Sequence, residues 1–253
     1  MNPVRRSMQN EESENSAWEC HDILCGGLRQ LCQNDSRTEG FVAPHLPEIL
    51  ARLFDYVEQI ELHNPAWGLV GTNDRRELIV RHILDSLAPM GIISGLLADA
   101  NAPGIQPGIA DVGSGAGLPG IPLAVTLPEV QFTLIERSGR RAVFLRNTLA
   151  ELGLGNITVE EAEMEKVRPG RFDVVTFRAL RALEPKILKK LFRLCGKDGV
   201  LAAYKGRKEK IISEMGTLEK ALPGLAGQWD IIPCPVPLLE EERHLVLIKR
   251  MTL

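Results

Sequence analysis

The spacing of hydrophobic positions changes character along the chain. From Pro44 onward, Leu46, Ile49, Leu50, Leu53, Phe54, Val57 and Ile60 recur at the i, i+3, i+4, i+7 intervals of an amphipathic helix. A turn is expected at Asn64-Pro65, then a second helical stretch from about Asp74 to Leu87 with Ile79, Ile83 and Leu87 on one face. Residues 44–102 thus read as a leading helical layer, closed by a break at Pro103, Gly104, Pro107 and Gly108. In residues 103–253 the pattern alternates. Short apolar segments at Gly108–Val112, Gln131–Glu136, Ile157–Glu160, Phe172–Phe177 and Val200–Tyr204 are separated by helical patterns, clearest at Gly139–Leu152, Glu184–Leu194 and Arg207–Leu222. That alternation predicts an α/β fold with a mostly parallel sheet covered on both faces. Trp229–Pro233 and His244–Lys249 have only a loop between them, so they should form an antiparallel hairpin at one edge, giving seven strands in all. Residues 1–40 are polar and acidic without a sustained period, which predicts a poorly ordered extension.

Composition narrows this picture. With 253 residues, 44% apolar and 25% charged, the chain has the make-up of a soluble globular protein and excludes a collagen-like or disulfide-scaffold class. The net charge of -3 is all in the first forty residues, where four basic side chains face seven acidic ones. The neutral remainder is uneven. Arg178 to Lys210 holds eleven Lys/Arg against Glu184, Asp198 and Glu209, a local +8 that suits either a polyanion or a solvated helix face. Five cysteines lack paired spacing and the start of the chain lacks a signal-peptide core, so reduced thiols and a cytoplasmic location are expected. Cys20, His21, Cys25 and Cys32 do not have zinc-site spacing, and no metal is expected. The charge-free run Val112–Pro128 holds four glycines and three prolines, so it predicts no membrane span.

The strongest chemical signal is Asp111-Val112-Gly113-Ser114-Gly115-Ala116-Gly117-Leu118-Pro119-Gly120, directly after the first predicted strand. Ligands of open parallel sheets bind at the carboxyl ends of strands. Counted from Gly115 the run fits a dinucleotide fingerprint, with Glu136 21 residues on. Counted from Asp111 it fits the nucleoside-binding turn of methyltransferases that use S-adenosylmethionine. Gly113 holds the place directly after the strand, and a third dinucleotide glycine counted from it would fall on Leu118. The bulky Leu118-Pro119 pair also crowds the point where a pyrophosphate would rest, which favours S-adenosylmethionine as cofactor. Gly113, Gly115, Gly117 and Leu118 then shape its pocket. Glu136 accepts the ribose hydroxyls, and Asp111 accepts the ammonium group or braces the turn. Met164 and Glu165, after the third strand, are placed for the adenine; a core role for Met164 fits equally.

The fourth strand ends Thr176-Phe177-Arg178-Ala179, where the transferred methyl should lie. An Asn or Asp followed by Pro-Pro would suggest attack by an exocyclic amine, and a cysteine would suggest covalent attack on a pyrimidine; neither is present. Pro233-Cys234 lies on the late hairpin and reads as structural. A guanidinium does not deprotonate a nucleophile. The nucleophile should therefore own a free lone pair, as guanine N7 does, with Arg178 orienting it. An NAD-dependent oxidoreductase and a non-catalytic RNA-binding module remain the alternatives.

Trp67-Gly68-Leu69-Val70-Gly71-Thr72, Arg81-His82-Ile83-Leu84-Asp85-Ser86-Leu87, Gly117-Leu118-Pro119-Gly120-Ile121-Pro122, Phe177-Arg178-Ala179 and Glu242-Arg243-His244-Leu245-Val246 occur in that order. Together they resemble the glucose-inhibited division protein B family, bacterial methyltransferases that act on guanine N7 in the 530 loop of 16S ribosomal RNA. The likeness covers about Pro44 to Arg250 and implies a class I, Rossmann-like methyltransferase acting as a monomer on 16S ribosomal RNA or the small ribosomal subunit. It also implies Arg178 and Lys205 beside the cofactor and RNA, with His82 and Asp85 on a helix over the active site. A buried, hydrogen-bonded His82 that only shapes the pocket is the other reading of that residue. Family members often carry Asn-Leu-Thr where this chain has Gly68-Leu69-Val70.

Overall fold

The computed structural model describes residues 3–100, 108–178 and 183–250. The break expected at Pro103–Pro107, and Ala179, lie outside them. The chain begins with helices α1 (Pro3–Asn34), α2 (Ser36–Val42) and α3 (Leu46–Trp67). A nearly continuous helical run follows as α4 (Arg75–Leu78), a π-helical turn (Ile79–Leu84), α5 (Asp85–Leu87) and α6 (Met90–Ala100). Strands β1 (Gly108–Val112), β2 (Gln131–Glu136), β3 (Ile157–Glu161), β4 (Phe172–Arg178), β5 (Cys195–Lys205), β6 (Trp229–Pro233) and β7 (His244–Ile248) form one sheet. Helices α7 (Gly120–Thr126), α8 (Gly139–Glu151), α9 (Pro185–Leu194) and α10 (Lys208–Ala221) connect them.

Across the sheet the order is β3-β2-β1-β4-β5-β7-β6. β1 to β5 pair in parallel, and β7 lies antiparallel between β5 and β6, which is the expected edge hairpin. Strand order reverses between β1 and β4, so the chains leaving these two strands diverge and open a crevice at their carboxyl ends. Both faces are covered. One hydrophobic cluster joins Leu24, Leu53, Ile79 and Leu84 of the first helices to Ile121, Leu134 and Phe144; the other packs Leu188 and Met215 of α9 and α10 against Val175, Phe177 and Ile248. The run from Arg75 to Ala98 is long and apolar enough to cross a membrane, but 67% of its most apolar window is buried, as in a core helix.

Three expectations are corrected. The acidic start is not a poorly ordered tail in its described part: Cys20, Leu24, Leu28 and Leu31 are buried in the core beneath the charged face of α1. Each fully buried leucine contributes about 2 kcal/mol, which orders a helix whose charge pattern alone would not. Gly27, a helix weakener by propensity, is there because α1 runs close to the π-helical turn: a Cβ would stand 2.4 Å from the Leu84 side chain. No turn occurs at Asn64-Pro65. Pro65 sits inside the last turns of α3, which ends instead at Gly68 in a left-handed conformation, φ 60°. Asn64 then organises the next loop, its Oδ1 accepting from the N–H groups of Leu69 and Val70 and its Nδ2 donating to the Thr72 carbonyl. Finally, β5 starts at Cys195 rather than Val200, because a register irregularity against Phe172 and Val174 absorbs the polar residues before Val200.

Candidate active site

The turn after β1 is held by its backbone. Gly113 and Ser114 donate to the Ile135 carbonyl at 2.9 and 3.4 Å, and Ser114 Oγ donates to the Asp111 carbonyl. Gly117 lies at φ 98°, where an added Cβ would come within 2.4 Å of Ile121 and 3.0 Å of Leu145. Only glycine fits there. Glu136, at the tip of β2, accepts from Gly115 N–H at 2.9 Å with one oxygen and from Ser138 N–H at 2.8 Å with the other. Asp111 is buried beneath the turn: Oδ2 accepts from Gly120 N–H at 3.1 Å, and Oδ1 has no partner. Burial pushes its carboxyl up to about 7. Of the two roles open to Asp111, bracing the start of α7 is the one this geometry carries. Tyr56 adds a support from outside the motif, its hydroxyl donating to the Ala116 carbonyl at 2.9 Å from the buried face of α3.

A cleft of about 520 Å³ opens beside this turn. Gly113, Gly115 and Leu118 line one side; His82, Asp85, Arg178, Lys205, Arg243 and His244 line the other. The three side chains expected to do chemistry, His82, Arg178 and Lys205, are thus brought together with most of the turn. Asp111, Gly117 and Glu136 stand behind the wall and shape it. Met164 and Glu165 stand apart from these lining residues: Lys190 pairs with the Glu165 carboxylate, while Arg193 takes the Met164 and Glu165 carbonyls and draws this loop to α9.

The polar side of the cleft is an ion-pair network. Arg178 Nη1 meets Asp85 Oδ2 at 3.1 Å, and Arg243 Nε meets Asp85 Oδ1 at 3.1 Å. Arg178 Nη2 lies 3.2 Å from His82 Nδ1. A guanidinium only donates, so Nδ1 accepts and the ring proton sits on Nε2. Burial, reinforced by the Arg178 charge, lowers the His82 pKa to about 4, so the ring is neutral near pH 7. Burial pushes the Asp85 carboxyl up, and the two guanidiniums oppose it. Lys205 is paired with Glu214 at 2.8 Å. His244 Nδ1 donates to the Gly206 carbonyl at 2.6 Å and fixes the chain just after Lys205. Cys234 also lines the cleft, but burial pushes its thiol up to about 12, so it is no thiolate nucleophile.

Sequence reasoning did not single out as site residues Tyr56, Arg243, His244 or Arg141, which also lines the cleft. Tyr56 falls on the same helical stripe as Leu53 and Ile60, where an aromatic reads as core. Arg243 and His244 stood in a quoted motif, but their position just before a late edge strand gave no reason to place them over the first strand.

The residues fit S-adenosylmethionine. Each Glu136 oxygen spends one acceptor site on a backbone N–H and keeps another for a ribose hydroxyl, and the glycine turn admits a ligand against bare backbone. The reversed strand order with an antiparallel β7, together with this turn and an acid at the β2 tip, defines a class I S-adenosylmethionine-dependent methyltransferase. Among solved structures, the plantazolicin methyltransferase BpumL in complex with SAH shares the fold, with a TM-score of 0.52 at 13% identity, covering 79% of this chain and 96% of that one. The family model for rRNA small subunit methyltransferase G matches residues 49–225. Ribosomal RNA small subunit methyltransferase G of Treponema pallidum is 36% identical over 232 residues, covering 90% of this chain and 93% of its own. That of Xanthomonas campestris is 39% identical over 207 residues, covering 80% and 88%. The chain belongs to the rRNA small subunit methyltransferase G family. The oxidoreductase and non-catalytic alternatives gain no support from these likenesses.

Proposed function

We propose that this protein transfers the methyl group of S-adenosylmethionine to N7 of a guanine in the 530 loop of 16S ribosomal RNA. When bound, the cofactor supplies a methyl group already activated by its sulfonium. The backbone from Gly113 to Ala116, the Leu118 side chain and Glu136 would hold it. One observation carries the choice of nucleophile: among the described residues the cleft presents donors and no poised base. Arg178 is a permanent cation, His82 is neutral with its Nδ1 lone pair directed at Arg178, and Lys205 is paired with Glu214. Guanine N7 suits such a cleft, because its own lone pair forms the new bond while the electrons of the breaking bond stay on sulfur. No proton has to move. The residues therefore act by orientation and in-line approach.

The path of the RNA is supported by a second groove of about 1150 Å³ that shares Arg81, Lys205, Gly206 and Arg243 with the cleft and continues past Arg207 and Lys210. Glu184, Glu214, Glu241 and Glu242 also line this groove, so its exposed cations Arg207 and Lys210 are the ones suited to contact the phosphates of single-stranded or looped RNA.

Incubating the protein with labelled S-adenosylmethionine and small subunits lacking the modification should place one methyl per subunit, on N7 of one guanine. Methyl on another atom, or no transfer at saturating cofactor, rejects this reading.

A further inference from the structure

Asp85 makes no hydrogen bond to the glycine turn and caps no backbone group, yet it pairs with two charges of the cleft. It is 7% exposed. Its two oxygens are taken by two different guanidiniums at 3.1 Å each, Arg178 from the tip of β4 and Arg243 from just before β7. A single carboxylate thereby joins three distant stretches of chain at the wall of the cleft. Arg178 has one further contact, to His82, and Arg243 donates Nη1 to the Glu242 carbonyl at 3.0 Å. Each guanidinium carries five N–H donors, so both keep donors to spare, and both line the cleft.

The charges decide what these donors await. Two arginines and one aspartate sum to +1, and neutral His82 adds nothing. A phosphodiester carries -1 and two non-bridging oxygens, one for each fork. A guanine carbonyl offers one neutral acceptor oxygen, which matches neither the two forks nor their +1. The phosphate removes that charge. Resting on the RNA-methyltransferase reading above, we propose that Asp85 is a positioning residue. It aims Arg178 and Arg243 as a paired cradle at one phosphate of the RNA, next to the guanosine that is methylated.

Asp85→Asn tests this because electrostatics and positioning predict opposite signs. Deleting a negative charge from an RNA-binding cleft should tighten RNA binding if Asp85 contributes only its field. If it aims the two forks, KM for the small subunit should rise by about thirtyfold despite the added positive charge, while the calorimetric Kd for S-adenosylhomocysteine stays at the wild-type value. Arg243→Lys keeps the charge but loses the fork, and should raise KM to a similar degree. The double variant should be no worse than the poorer single one, since both disturb the same phosphate contact. Should Asp85→Asn fail to fold by circular dichroism, Arg243→Lys alone decides. A lowered or unchanged KM, a loss of cofactor affinity matching the loss of RNA affinity, or fully additive effects would overturn the cradle. If the wild-type protein labels guanine N7 while these variants behave in any of those ways, the cradle alone is wrong; if the wild-type protein labels no RNA, the functional reading falls with it.

Discussion

The two sides of the cleft are built on opposite plans. The cofactor side is ten consecutive residues, Asp111 to Gly120, plus Glu136, and its shape is set by backbone hydrogen bonds and by glycines where a Cβ has no room. The opposite side takes His82 and Asp85 from the first helices, Arg178 from β4, Lys205 from β5 and Arg243 from the approach to β7. Charges hold it: Asp85 pairs with Arg178 and Arg243, Arg178 also meets His82, and Lys205 pairs with Glu214 from α10. A backbone-built site is intolerant of added atoms, and its one pH-sensitive brace is the buried Asp111. A charge-built site tolerates small changes of volume, and it fails when one partner is removed, because a buried charge is left uncompensated. The difference suits the ligands: a nucleoside that must be gripped in one pose, and a polyanion that must be aimed.

The sharpest way to break the comparison is to add one carbon to the backbone-built side. Gly117→Ala places a Cβ at φ 98° and 2.4 Å from Ile121. Strain and overpacking together should cost about 3–5 kcal/mol. Thermal unfolding should show the loss, and calorimetry should show weakened S-adenosylhomocysteine binding. A wild-type melting temperature would mean that the turn is loosely held.

Next in size is a pair of opposite pH slopes. The pKa of His82 falls to about 4 on folding, so between about pH 4 and its unfolded value near 6.5 the unfolded state holds the extra proton. Its contribution to stability is therefore complete above that unfolded value and is lost as pH falls toward 4, by up to about 3 kcal/mol. Asp111 runs the other way. Its folded pKa rises to about 7, so the native state holds the proton, and the contribution is complete below the unfolded pKa and lost as pH rises toward 7. Melts from pH 4.5 to 6.5 should show wild type gaining on His82→Gln as pH rises, and Asp111→Asn gaining on wild type. Parallel slopes for the two variants would refute the contrast.

Tyr56→Phe removes only the hydroxyl that donates to the Ala116 carbonyl. The buried carbonyl loses a partner, and stability should fall by about 1 kcal/mol in a denaturant melt. Cofactor affinity should fall with it and RNA affinity should not, because Tyr56 supports the cofactor side alone. Equal losses in both would show that the two sides are mechanically one.

The contrast also explains what the sequence made readable. Apart from Glu136 the cofactor side is local, so one ten-residue window contains it, and short apolar runs with helical patterns between them located all seven strands and the helices α8, α9 and α10. The polar side is a product of topology. Arg243 and Asp85 are far apart along the chain, and no spacing rule connects them; their meeting requires that β7 lie beside β5 and that α5 present Asp85 to Arg178 at the end of β4. The misread segments fail for local reasons. In α1 the apolar stripe from Cys20 to Leu31 is diluted by Gly26, Gly27 and a polar, acidic first half. The ties from Lys190 and Arg193 of α9 to the loop at Met164 and Glu165 are likewise visible only once α9 is in place.

The smallest expected effect concerns where the polar side ends. Lys189 is exposed on α9 outside both grooves, whereas Arg207 lines the groove that continues from the cleft. Neither has a side-chain partner among the described residues, so reversing either to Glu should change stability by no more than about 0.5 kcal/mol. Their effects on RNA should differ. If phosphates follow the groove, Arg207→Glu should weaken binding to small subunits and reduce the slope of log K against log salt by about one. Lys189→Glu should leave that slope unchanged. The same change of slope in both variants would mean that the local +8 acts as a diffuse field, and that the ordered, charge-built side stops at Lys205.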